Sequence, residues 1–252
     1  MFTDFSGGGV PAVSTVCDTT EVTSPRPSGS QCAPIVLLDL DGTLIDSLAT
    51  VQQTLCLAAD ALGKERPSAE FLRSVAGPPM QVTMARLGWS PAEVDAGKRF
   101  YFDHYDTHMW DKSELFPGIA DALAELRALG YELYLATSKR EVVAFKTVAH
   151  VGIEKLFSGM VGANNDGTTR QAKADVIAEA IRQAGDDPLR PRRRYVMVGD
   201  RIHDVEGAAV FGIDTILCTW GTGSAAEWEH ATHTIDSVAE LPQAVQELLP
   251  RE

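Results

Sequence analysis

The segment IVLLDLDGT at residues 35–43 decides how this chain folds. An unbroken apolar run that ends in carboxylates is typical of a parallel strand, buried on both faces, that leads into a functional loop. Asp39 and Asp41 are two residues apart, so both side chains can face the same side of an extended chain. Gly42 permits a tight turn directly after them. The segment therefore predicts a central strand with chemistry at its carboxyl end.

Beyond residue 117, helical and strand patterns alternate along the chain. Strand patterns occur in YELYLATS, near 159–163, in RYVMVGD and in IDTILCT, and helical patterns occur at 119–129, 140–151, 171–184, 204–211 and 237–249. This alternation implies right-handed βαβ crossovers and a parallel sheet covered on both faces. We therefore predict an α/β, Rossmann-like fold, in which the chemistry lies at the carboxyl ends of the strands.

The stretch between the first strand and this alternating region has a different pattern. It carries helical spacing and no strand signal, which predicts an all-helical insertion. Ser90, Pro91 and Glu93 supply an N-cap, a first-turn proline and a capping box, so one helix is expected to begin there. The predicted organisation is a flexible tail at 1–33, a Rossmann-like core domain at 34–46 and 116–252, and a helical cap domain at 47–115.

Composition limits the partners of the protein. The 252 residues include 22 Lys and Arg against 35 Asp and Glu, a net charge of -13. Such a chain repels nucleic-acid and lipid phosphates, so we expect no nucleic-acid polymer and no membrane among its partners. The four cysteines show no metal-ligand spacing, which favours reduced thiols and a cytoplasmic location.

Polar side chains follow the predicted strands at their carboxyl ends. Thr137 and Ser138 end one strand, Asp200 ends another with Asp204 four residues further on, and Lys173 opens an intervening helix. Asp39, Asp200 and Asp204 can supply the oxygen ligands that Mg²⁺ prefers. One carboxylate can then act as a nucleophile towards phosphorus, while a second serves as general acid and base. The set predicts metal-assisted phosphoryl transfer.

The motifs DLDGTLIDS, LATS, the Lys in RQAK and GDRIHD, in this order, resemble those of the haloacid dehalogenase-like hydrolase superfamily. The resemblance covers residues 34–249, and the helical insertion is similar to the family's small cap. GDRIHDVEGA and WGTGS look most like the phosphoglycolate phosphatase-like and 5′-nucleotidase-like members.

The resemblance implies a role for each matching residue. Asp39 would be the nucleophile and Asp41 the acid/base. Thr137 and Ser138 would bind the phosphoryl group, and Lys173 would compensate its charge. Mg²⁺ would be held by Asp39, the backbone carbonyl of Asp41 and Asp200, with Asp204 assisting from the outer shell.

Asp41 narrows the reaction, because superfamily ATPases usually carry Thr there and dehalogenases lack this Asp. The expected activity is Mg²⁺-dependent hydrolysis of a small organic phosphate monoester by a monomer or homodimer. A β-phosphoglucomutase-like phosphomutase and a non-catalytic phospho-ligand-binding regulator remain alternatives. Phosphoglycolate, nucleoside monophosphates and sugar phosphates all stay open as substrates. Lys139 is equally compatible with substrate contact and with solvent, whereas Tyr105 and its neighbours favour a place in the cap core.

Overall fold

A computed structural model of the protein describes residues 32–75, 79–165 and 168–251. The predicted tail at 1–33 lies outside these residues except for its last two positions. Within the described ranges, no helix has both the length and the apolar character needed to cross a bilayer.

The strands build a parallel sheet, as the alternation predicts. They are β1 (Ile35–Leu38), β2 (Ile45–Asp46), β3 (Glu114–Leu115), β4 (Glu132–Arg140), β5 (Gly159–Ala163), β6 (Tyr195–Gly199), β7 (Asp214–Cys218) and β8 (His233–Ile235). Six of them form one sheet in the order β5-β4-β1-β6-β7-β8, and every pairing within it is parallel. The predicted α/β fold class is confirmed, and β1 lies near the centre of the sheet.

Helices cover both faces of this sheet. The helices are α1 (Leu48–Ala61), α2 (Ala69–Leu72), α3 (Met80–Arg86), α4 (Pro91–His108), α5 (Ile119–Ala128), α6 (Glu141–His150), α7 (Lys173–Gln183), α8 (Ile202–Ala209), α9 (Ala225–Trp228) and α10 (Leu241–Leu248). Val36 and Leu38 of β1 pack in a core with α5, α6 and α10. Ile35 and Leu37 face the opposite core with α7 and α8. This two-residue alternation is why β1 is apolar at every position.

The helices α1 to α4 share an apolar core of their own, which includes Leu55, Met84, Trp89 and Tyr101. The predicted start of α4 is confirmed: the Ser90 side chain accepts a hydrogen bond from the Glu93 backbone, and the Glu93 carboxylate accepts one from the Ser90 backbone.

The prediction that residues 47–115 contain no strand is wrong at one place. Strand β3 pairs antiparallel with β2, with Ile45 opposite Leu115 and Asp46 opposite Glu114. A two-residue strand is too short to show an alternating pattern, so periodicity could not reveal it. This short ladder joins the two points at which the chain enters and leaves the helical stretch.

Candidate active site

The loop after β1 holds Asp39 and Asp41 at the carboxyl edge of the sheet. The backbone N–H of Asp39 donates to the Val198 carbonyl over 2.9 Å, so the strand pairing continues up to this residue. Gly42 has φ +80, and a Cβ there would lie 2.3 Å from Oδ2 of Asp200. Both the left-handed backbone and the close approach of Asp200 require glycine at this turn.

Three carboxylates converge beside this loop. Asp39, Asp200 and Asp204 are buried, and each offers an oxygen within 4.8 Å of the others. Oδ2 of Asp200 accepts hydrogen bonds from the Thr222 backbone (2.7 Å) and hydroxyl (2.8 Å), whereas its Oδ1 is buried without a hydrogen-bond donor among the described residues. An unpartnered carboxylate oxygen in a buried all-oxygen cluster suits a hard divalent cation, so these residues fit Mg²⁺.

The electrostatics of the cluster lead to the same conclusion. Burial, with the Asp204 charge nearby, raises the pKa of Asp39 to about 6 against the opposing effect of Lys173. Burial and the charges of Asp204 and Asp39 raise the pKa of Asp200 to about 7. Like charges held together out of water favour protonation, and a bound cation would relieve that repulsion.

Lys173, the first residue of α7, supplies the positive charge of this cluster. Its ammonium lies 2.9 Å from Oδ1 of Asp39 and 2.7 Å from Oδ1 of Asp204, and it donates to the Ala136 carbonyl over 3.0 Å. Burial lowers the pKa of Lys173, but the two carboxylates outweigh that effect and raise it overall. Lys173 is therefore a buried permanent cation next to Asp39.

Hydroxyl groups close the site from β4. Thr137 is buried, and its hydroxyl accepts a hydrogen bond from the Lys139 backbone over 3.2 Å. Thr137 and Ser138 line one cavity of about 160 Å³ together with Asp39, Asp41, Lys173 and Asp204. Since Asp200 joins the cluster of Asp39 and Asp204, the structure brings all the predicted site residues together.

Lys139 has a position that the sequence left open. Its ammonium lies 3.0 Å and 3.2 Å from the two carboxylate oxygens of Asp41 and donates to the Tyr105 hydroxyl over 2.9 Å. Burial lowers the pKa of Lys139, whereas Asp41 and Tyr105 raise it by more. Tyr105 belongs to α4, so Lys139 links the helical stretch to the loop of Asp41. Tyr105 lies in the apolar core as expected, and it also lines the cavity.

Two further features were missed by sequence reasoning. Thr222 reaches Asp200 from the loop after β7, and Arg201 pairs with Glu227 at 2.9 Å. The segment WGTGS gave the only signal for this loop. Glycines at 221 and 223 leave room for close approach, since a Cβ on Gly221 would lie 2.4 Å from Cβ of Asp200.

A buried carboxylate cluster suited to a divalent cation, a buried lysine and strand-end hydroxyls at the carboxyl edge of a parallel sheet define an α/β enzyme of phosphoryl chemistry. Residues 36–218 match the family model described as haloacid dehalogenase-like hydrolase. The chain belongs to this family, which confirms the resemblance found in the sequence, and it is a hydrolase of the phosphatase class.

Individual relatives carry different names. The tyrosine-protein kinase PtkA of Mycobacterium tuberculosis is 37% identical over 223 residues, which are 88% of this chain and 74% of that protein. Its solved structure superimposes with a TM-score of 0.71, covering 84% of this chain and 98% of that one. A 5′-nucleotidase of Pseudomonas aeruginosa is 30% identical over 84% of this chain and 96% of its own length. A phosphoglycolate phosphatase of Chromobacterium violaceum is 30% identical over 82% of this chain and 93% of its own.

Proposed function

We propose that the protein hydrolyses a small organic phosphate monoester, with Mg²⁺ bound, through an aspartyl-phosphate on Asp39. The observation that carries this proposal is the position of Asp39. It lies in the buried carboxylate cluster, in contact with Lys173, and two residues before Asp41, which lines the same cavity.

In the first step, a carboxylate oxygen of Asp39 attacks the phosphorus of the ester. The bond from phosphorus to the ester oxygen breaks, and protonated Asp41 transfers its proton to that oxygen, so an alcohol leaves. In the second step, Asp41 takes a proton from water as the water attacks phosphorus. Inorganic phosphate is released, and the Asp39 carboxylate and protonated Asp41 are restored.

The other site residues balance charge and set orientation. Lys173 and the Thr137 and Ser138 hydroxyls would bind the phosphoryl oxygens, and Lys139 orients Asp41 through its ionic contact. Asp39, the Asp41 carbonyl and Asp200 would hold Mg²⁺ with Asp204 in support. The bound ion neutralises phosphoryl charge that carboxylates would otherwise repel.

We propose that residues 47–115 act as a cap on a core of 34–46 and 116–252. The separate apolar core of α1 to α4 supports this division. By closing over the cavity, the cap would exclude bulk water and contact the leaving group. We further propose a cytoplasmic monomer or homodimer, which light scattering on the purified protein measures.

The test is phosphate release from a panel of small phosphate esters, with Mg²⁺ or EDTA, for wild type, Asp39→Asn and Asp95→Asn. Asp95 is an exposed carboxylate of α4, so its variant controls for loss of one negative charge. We expect release that requires Mg²⁺, persists in Asp95→Asn and falls at least a thousandfold in Asp39→Asn. Release that survives in Asp39→Asn would refute the covalent mechanism.

A second candidate function is phosphoryl transfer to a tyrosine hydroxyl, which the 37% identity to a protein named tyrosine-protein kinase favours. The same aspartyl-phosphate could pass its phosphoryl group to a phenol instead of water. Incubation with ATP, Mg²⁺ and a tyrosine-containing peptide separates the two functions. Peptide phosphorylation that exceeds monoester hydrolysis would favour the kinase.

A further inference from the structure

The cavity has two chemically different halves. The half that faces α1 to α4 and α6 is apolar, lined by Val51, Val75, Met80, Tyr101, Tyr105 and Val143. All of these except Met80 are buried. The rings of Tyr101 and Tyr105 stack with centroids 5.8 Å apart and an interplanar angle of 17°. A wall of this kind attracts an apolar or aromatic group, while the carboxylate cluster and Lys173 occupy the other half.

The cations of the cavity already have carboxylate partners. Each lining Lys and Arg in the described part of the chain is paired: Lys139 with Asp41, Arg140 with Asp106, Lys173 with Asp39 and Asp204, and Arg201 with Glu227. Arg140 also lies 4.2 Å from the centroid of the Phe102 ring. His203, the remaining basic residue of the lining, lies 3.6 Å from Glu206.

This pairing has a consequence for the leaving group. A second anionic group on the substrate would need a cation, and it could obtain one only by displacing a carboxylate from its present partner. The displaced carboxylate would stay in or beside the cavity without a counter-charge, which is strongly unfavourable in a buried site. An uncharged leaving group needs no such exchange.

The size of the cavity sets the scale of that group. It measures about 160 Å³, and an apolar protein cavity of about 150 Å³ is known to admit benzene. A single ring against the Tyr101 and Tyr105 wall, with the phosphoryl group directed to Asp39, is therefore on the scale of the space available.

From these contacts we infer that the substrate is a phosphate monoester of an uncharged alcohol that bears one aromatic ring. The site discriminates against esters whose leaving group carries a carboxylate or a second phosphate. This inference rests on the proposed phosphatase function and names its substrate class.

The test compares benzyl phosphate with 2-phosphoglycolate at saturating Mg²⁺. Both esters release a primary alkoxide, so the comparison reports the leaving-group site more than intrinsic reactivity. We expect kcat/KM to be at least tenfold higher for benzyl phosphate. Equal or faster turnover of 2-phosphoglycolate would overturn the inference and leave the phosphatase function intact.

Two variants of α3 locate the preference. Met80 lines the cavity, whereas Val82 is 48% exposed and does not. Met80→Lys places an unpaired cation in the apolar half, so the ratio of benzyl phosphate to 2-phosphoglycolate turnover should fall at least tenfold. Val82→Lys adds the same charge to the same helix and should leave the ratio unchanged. An unchanged ratio in Met80→Lys would contradict the assignment of this wall to the leaving group.

A binding measurement decides the inference even if no ester is hydrolysed, which is the outcome that would remove the phosphatase function. The probes are 2-phenylethylphosphonate and 3-phosphonopropionate, in which a methylene replaces the ester oxygen of each substrate. Calorimetry on the wild-type protein with Mg²⁺ should give at least tenfold tighter binding of the phenylethyl compound. Tighter binding of the carboxylate compound would refute the inference.

Discussion

Replacing Lys173 by Met tests the charge balance of the site most directly. The side chain is 6% exposed, and its ammonium is shared between Asp39 and Asp204 at 2.9 Å and 2.7 Å. Methionine preserves much of the side-chain length but removes the charge. The substitution leaves two buried carboxylates without their common cation.

The size of the effect follows from that loss. Removing one partner of a buried ion pair costs about 3–5 kcal/mol of folding free energy, because the remaining charge is buried without compensation. For a chain of this size, such a loss lowers Tm by about 6–20 °C. The pKa of Asp39 is already raised to about 6 and would rise further without Lys173. A carboxyl pKa raised by folding makes stability fall as pH rises, so the deficit should be larger at pH 8 than at pH 5.

The assay is urea denaturation of Lys173→Met in EDTA at both pH values, with Lys155→Met as the control. Lys155 is exposed, so its loss should change the free energy of unfolding by less than about 0.5 kcal/mol. Adding Asp204→Asn to Lys173→Met removes one of the unpaired charges and should recover part of the loss. If Lys173→Met is within about 1 kcal/mol of wild type at pH 8, the reasoning about the buried charges is refuted.

Three other predictions concern the turn, the metal and a structural carboxylate. Gly42→Ala introduces a Cβ at φ +80, 2.3 Å from Asp200, and should cost about 1–3 kcal/mol and most of the phosphatase activity; normal activity would contradict the close approach. Mg²⁺ at 100 times its Kd should stabilise wild type by about 2.7 kcal/mol, and Asp200→Asn should lose more than half of this thermal shift. Asp186 accepts hydrogen bonds from the Arg192 and Arg193 backbones, which outweigh burial and lower its pKa. Asp186→Ala should therefore cost about 1–3 kcal/mol at pH 7 in urea denaturation, and the difference should shrink as pH falls towards 3.

Local patterns were enough to predict most of the architecture. β1 could be read from its unbroken apolar run, and α4 from the capping box of Ser90 and Glu93, because both signals depend on residues that are close in sequence. The pairing of β2 with β3 and the short strand β8 left no such signal. Their few residues are held by partners that are distant along the chain.

By itself, the sequence determined the α/β class, the order of the strand-end motifs and the set of polar residues at the carboxyl edge of the sheet. These follow from periodicity and from the rule that parallel strands present their carboxyl ends on one side. Only the tertiary structure decided which charges meet. Lys139 and Asp41 are 98 positions apart, and Tyr105 reaches the same ammonium from a cap helix. The pairing of the cavity's cations, and with it the apolar character left for the leaving group, depends on distances through space that sequence spacing does not encode.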